Sequence, residues 1–175
     1  MALFRRRVGR REPLPDDARK LLELPAVLRV LAWSALAGGG WAAATPVGLR
    51  ALLPTGRLVD RPWTDVDHVA WDDGSRMLAI WWVGSRQATP LEVTEGSYLP
   101  EVLHERVRSS VVLSLDVDVP GGGGVRVALR KAADGTLSTQ TVPGRGARLK
   151  DPEVAAAVER ARARLRDEAG LPPGT

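Results

Sequence analysis

The chain has 175 residues, 44% hydrophobic and 26% charged, which leaves room for one ordinary domain with an extension and excludes wholesale disorder. Cysteine is absent, so disulfides and thiol chemistry are excluded and a reducing, cytoplasmic setting is expected. The net charge of +4 points to nucleic acid only until it is located. Arg5, Arg6, Arg7, Arg10 and Arg11 are five of the 25 basic residues, and the other 20 face 21 acidic ones, so the body beyond residue 11 is near neutral.

Residues 1–25 read as a basic flexible tail, broken by Pro13, Pro15 and Pro25, with at most a short helix over 18–24. The stretch between Arg29 and Arg50 is uncharged, yet it holds Gly38, Gly39, Gly40, Pro46 and Gly48, so no membrane span is expected. Short apolar segments follow at 27–36, 41–45, 49–53, 57–61, 66–71, 77–83 and 89–93, each bounded by a glycine, proline or aspartate turn. Asp73-Gly74 is the strongest hairpin signal among them, because a two-residue turn of that kind needs positive φ at both positions. These seven strands predict a meander that curls on itself. A helix should close it, with Ser97 as cap, Pro100 in the first turn and Leu99, Val102, Leu103 and Val107 on one face.

The second half is aliphatic: all six tryptophans lie between Trp33 and Trp82, which places the aromatic core in the first half. Val111, Leu113, Leu115, Val117 and Val119 alternate with polar residues, as do Val125, Val127 and Leu129, so a sheet with one wet face is expected. Asp116 and Asp118 are set to pair with Arg126 and Arg130 across it. Glycines 121–124 form one turn and Asp134-Gly135 another, leading to a weaker strand over 136–142. The final helix has Asp151 as N-cap, Pro152 at the first position and Gly170 past its end. Its stripe of Val154, Val158, Ala161 and Leu165 should cover the apolar face of that sheet.

Four runs carry a resemblance: Val30-Leu31-Ala32-Trp33, Trp41 to Thr45, Pro62-Trp63-x-Asp65-Val66, and Val69-x-Trp71-Asp72. Together with seven strands and a closing helix, they resemble uncharacterised bacterial pleckstrin-homology-like (PH-like) proteins. The resemblance covers about 26–110 and implies a PH-like seven-stranded barrel closed by a helix. With the β-hairpin sheet plus helix read over 111–170, packed on or beside it, the expected fold is α+β. The alternative is a single continuous sheet with both helices on one side. The resemblance implies a binding scaffold rather than a shared chemistry. The loop between the first two strands, Ala37 to Gly40, lacks the cations of the lipid-binding members, so their phosphoinositide pocket is not expected here.

No catalytic set is expected. His68 and His104 read as surface residues, and no nucleophile, phosphate-loop or metal motif accompanies them. Asp65, Asp67, Asp72 and Asp73 cluster around Trp71 without the spacing of a calcium loop. No cofactor and no metal are therefore expected. The candidate partner site is Trp81 with Trp82, which alternate onto opposite faces of one strand, so that one ring faces the core and the other meets a partner or, as the alternative, packs under the C-terminal module. Trp81 is expected to face inward, because Met77, Ala79 and Val83 share its parity without a charge. The function so read is a non-enzymatic interaction or scaffold module for a protein segment. The alternative is association of Arg5, Arg6, Arg7, Arg10 and Arg11 with anionic membrane or nucleic acid.

Overall fold

The architecture is mixed α and β: a computed structural model describes residues 12–119 and 123–172, which form three antiparallel sheets and three α-helices. They divide between Arg108 and Ser109 into two units, each with an apolar interior of its own. The five N-terminal arginines lie outside the described residues.

In the first unit, β1 (Ala32–Ala35), β2 (Trp41–Ala44), β3 (Gly48–Leu52) and β4 (Leu58–Pro62) pair in that order. A 3-10 turn, Trp63–Asp65, leads to a second sheet of β5 (Val66–Asp72), β6 (Met77–Trp82) and β7 (Ala88–Glu92). The helix α2 (Leu99–Ser110) follows. Ser97 Oγ accepts the Leu99 N–H at 3.2 Å, as its capping role requires, and Leu99, Val102, Leu103 and Val107 are all buried. They pack with Leu49, Val59, Trp63, Leu78, Ile80 and Leu91 into one core.

The expected barrel is not closed. Among the described residues the two sheets share one isolated bridge, Leu36 to Val93. Two prolines explain the gap. Pro62 ends β4 and the 3-10 turn then carries the chain away, so β4 and β5 are end strands of different sheets. Pro90 lies in β7 opposite Ala79, on an end strand, where a missing N–H does not break the ladder.

The first strand is shorter than the apolar run 27–36 predicts. Leu28 N–H turns back to Pro25 O (3.0 Å), and Arg19 Nη1 donates to Pro25 O and Leu28 O (2.9 and 3.1 Å), so the segment before Ala32 is a held turn. The tail is shorter too. The short helix allowed over 18–24 is present as the six-residue α1 (Asp16–Leu21), but it belongs to the folded unit and not to a tail. Leu14, Ala18, Leu22 and Leu24 are buried with Ala43, against Trp33, Trp41, Leu52 and Leu58. The Asp73-Gly74 turn also differs from expectation. Asp72 Oδ1 accepts the Gly74 N–H at 3.0 Å, and the positive φ falls on Arg76 (54°), so this is a longer loop built on an aspartate side chain. In the three-glycine turn, space demands glycine at Gly40 (φ 96°), where a Cβ would stand 2.1 Å from the Leu52 carbonyl oxygen.

The second unit has β8 (Val111–Val117), β9 (Val125–Lys131) and β10 (Leu137–Pro143) in the order β10-β9-β8, then α3 (Pro152–Glu168). Val154, Val158, Ala161 and Leu165 of α3 are buried with Val119, Val125 and Val127, the packing that the helical stripe predicts. Asp151 precedes Pro152 in extended conformation but makes no side-chain cap bond. Arg126 meets Asp116 at 3.1 Å across the register, whereas Arg130 stands opposite Val111 and Ser138 rather than an aspartate.

Candidate interaction cleft and sheet face

Strand β6 carries Trp81 and Trp82, and its parity is the reverse of the sequence expectation. Leu78 and Ile80 are fully buried in the core, and Trp82, in phase with them, packs against the same cluster. Met77, Ala79 and Trp81 face the other side. Arg76, which on a continuous strand would share the parity of Trp82, precedes the strand with φ 54° and does not set its parity. Trp82 Nε1 donates to Thr89 Oγ1 at 2.8 Å, giving the indole N–H a partner at the edge of the core.

Trp81 lies on the opposite face of the three-stranded sheet, in a cross-strand row with His68 and Ala88. The His68 ring stacks on it, with centroids 4.4 Å apart and planes 11° apart, and His68 Nδ1 is 2.8 Å from Asp67 Oδ2. Next to that row stand Ala70, Ala79 and Pro90, then Asp72, Met77 and Glu92. This face is thus apolar in the middle and acidic at one end.

Trp82 leads to an open cleft in this unit. The cleft, of about 850 Å³, runs between the β3–β4 turn with β4 on one side and the β6–β7 turn with the start of β7 on the other. Leu58, Val59, Arg57 and Arg61 form one wall; Trp82, Gln87, Thr89 and Pro90 form the other. Among the described residues β4 has no strand partner on its outer side, and that edge lies along the cleft. Leu53 N–H donates to Arg57 O (2.9 Å), so Arg57, Val59 and Arg61 direct their peptide groups to β3. Leu58 and Asp60 then present N–H and C=O groups on the unpaired side. On β7, Val93 N–H bonds Arg76 O (3.0 Å) and Glu92 O accepts Ala37 N–H (2.9 Å), which sets Pro90 and Ala88 towards the unpaired side. That side is blunted, because Pro90 has no N–H to offer.

The electrostatics of the two walls differ from what charge counting gives. Asp60 is tied to Arg50, which also donates to the Leu22 and Glu23 carbonyls (3.2 and 2.8 Å) at the end of α1. Arg61 reaches Asp65 at 3.1 Å. Arg57 has no carboxylate partner among the described residues and lines the cleft. The acidic cluster read from the sequence does not converge. Asp65 pairs with Arg61 and Asp67 with His68, while Asp72 holds its own turn. The Ser75 hydroxyl and the N–H groups of Gly74 and Ser75 hold the Asp72 carboxyl below the usual carboxylate range. Among the described residues no three His, Cys, Asp or Glu side chains gather at one point.

Sequence reasoning thus names Trp82 but misses its neighbours on β4. The signal that locates them is proline within strands: Pro62 and Pro90 both mark unpaired edges. No helix among the described residues is long and apolar enough to cross a membrane. No family model, curated protein or solved structure matches the chain.

Proposed function

We propose that the chain is a non-catalytic, cytoplasmic interaction module that holds an extended protein segment along β4. The observation that carries this reading is the free β4 edge beside Trp82 in a cleft of about 850 Å³. An unpaired edge adds a peptide through main-chain hydrogen bonds, and the adjoining wall selects alternate side chains. Neither histidine lines the cleft, which favours recognition over acid–base chemistry. The absence of cysteine fits a reducing compartment. A PH-like scaffold belongs to the same reading. It is supported by the order of a four-stranded sheet, a three-stranded sheet and a helix, with Leu36 and Val93 bridging the sheets.

The test is a selection of random octapeptides against the full chain, followed by affinity measurements on edge variants. Asp60→Pro removes an N–H that faces away from β3 and is expected to weaken selected peptides at least about tenfold, the scale of one or two lost hydrogen bonds. Asp60→Ala keeps that N–H and should retain binding, which separates the edge from the Arg50 ion pair. Equal affinity for wild type and Asp60→Pro would remove β4 as the docking edge.

A further inference from the structure

Resting on that reading of the β4 edge, we infer that the segment received there is acidic, with carboxylates on alternate residues flanking an apolar one. Two observations converge. The first is the charge of the cleft. Its lining residues include two arginines and one aspartate, and that aspartate is engaged by Arg50, on a different strand. Arg57 has no carboxylate partner among the described residues, and Arg86 sits in the β6–β7 turn between two further lining residues, Ser85 and Gln87. Arg61 already meets Asp65 at 3.1 Å, so the positive character of the vacant side of β4 rests mainly on Arg57, with Arg86 in the adjoining turn, although residues 12–108 as a whole carry more acidic than basic groups.

The second observation is register. A strand added to β4 in antiparallel sense exchanges hydrogen bonds at Leu58 and Asp60, the residues whose peptide groups face outward. Its residues opposite Arg57, Val59 and Arg61 then fall at non-hydrogen-bonded positions, where Cα atoms approach to about 4.5 Å and side chains are nearest. Val59 points to the core and is 8% exposed, so its two same-face neighbours, Arg57 and Arg61, flank the side that looks across to Trp82 and Thr89. An incoming carboxylate opposite each arginine, with an apolar side chain between them opposite Val59, satisfies all three. The intervening residues lie opposite Leu58 and Asp60, where a second negative charge is repelled. From the residue opposite Arg57 to that opposite Arg61, the pattern is acid, any, apolar, non-acidic, acid.

The octapeptide selection reads this directly. Acidic residues should be enriched at alternate positions around an apolar one. Replacing both acids by glutamine should weaken binding, and Arg57→Glu should reduce affinity for the acidic form by about tenfold at low salt while sparing the glutamine form. Peptides that depend on the β4 edge, as judged by Asp60→Pro, but carry no acidic pattern would overturn the acidic inference and leave the cleft reading in place. Peptides that ignore Asp60→Pro would overturn both. Phosphatidylserine vesicles form the control arm. Vesicle binding that Arg57→Glu abolishes and Asp60→Pro leaves unchanged would assign the arginines to a lipid surface instead and refute the peptide proposal.

Discussion

Trp63, Trp82 and Trp81 show three degrees of what an indole can do in this fold. Trp63 is 5% exposed and donates its N–H to the Thr45 carbonyl at 3.0 Å. Trp82 is half-buried against the core with its N–H on Thr89, and Trp81 lies on a sheet face under His68. The stability cost of truncation should follow that order. Trp82→Ala empties part of the core and leaves Thr89 without its donor, and about 3 kcal/mol is expected, the low end for a large aromatic. Trp81→Ala removes one stacked ring from an outer face, and about 1 kcal/mol is expected. Urea midpoints of the two variants decide it, and a larger loss for Trp81 would reverse the parity assigned to β6. The sequence alone favoured that reversed parity because it weighed the absence of charge. The better signal was size: Leu78 and Ile80 fill a core, whereas Ala79 fills little of one.

At the scale of elements, the segments legible in the sequence are those with a regular apolar period and a turn at each end. The helices α2 and α3 have both, and β8 and β9 alternate cleanly. The sequence allows a short helix over 18–24, but the length of α1 hid that it is part of the folded unit. Six residues cannot hold a helix on propensity, so its existence depends on partners far along the chain. Those partners are Ala43, Leu52, Leu58 and the carbonyl-binding Arg50, none of which a local pattern can supply. The spacing of Leu14, Ala18 and Leu22 was visible, but the prolines and charges around it read as tail. Leu22 is fully buried, so Leu22→Ala should cost about 2–4 kcal/mol. It should also expose the peptide bonds near Arg19 and Lys20 to trypsin, which limited proteolysis with mass spectrometry detects. Wild-type resistance in Leu22→Ala would mean that α1 does not depend on this packing. The β4 edge was illegible for a related reason. Whether a strand is an edge depends on which strands pair, and the break at Pro62 is the one local clue to it.

For the whole molecule, charge gives the most misleading first impression. The basic character of the chain is concentrated in its first eleven residues: removing five arginines from a net charge of +4 leaves −1. A polyanion that binds through those arginines and a peptide that binds through the β4 cleft therefore respond to different changes. Deleting residues 1–11 is expected to abolish retention on a cation exchanger at neutral pH and to remove any salt-sensitive binding to heparin. It leaves Leu14, Ala18, Leu22 and Leu24 in place, so the thermal midpoint should stay within about 2 °C of the full chain. Peptide affinity at the cleft should not change either, because the charge selection proposed for it involves Arg57 and Arg61, which the deletion leaves in place. Heparin binding that survives the deletion would locate a basic surface on the folded units, and the split between arginine segment and cleft would then be abandoned.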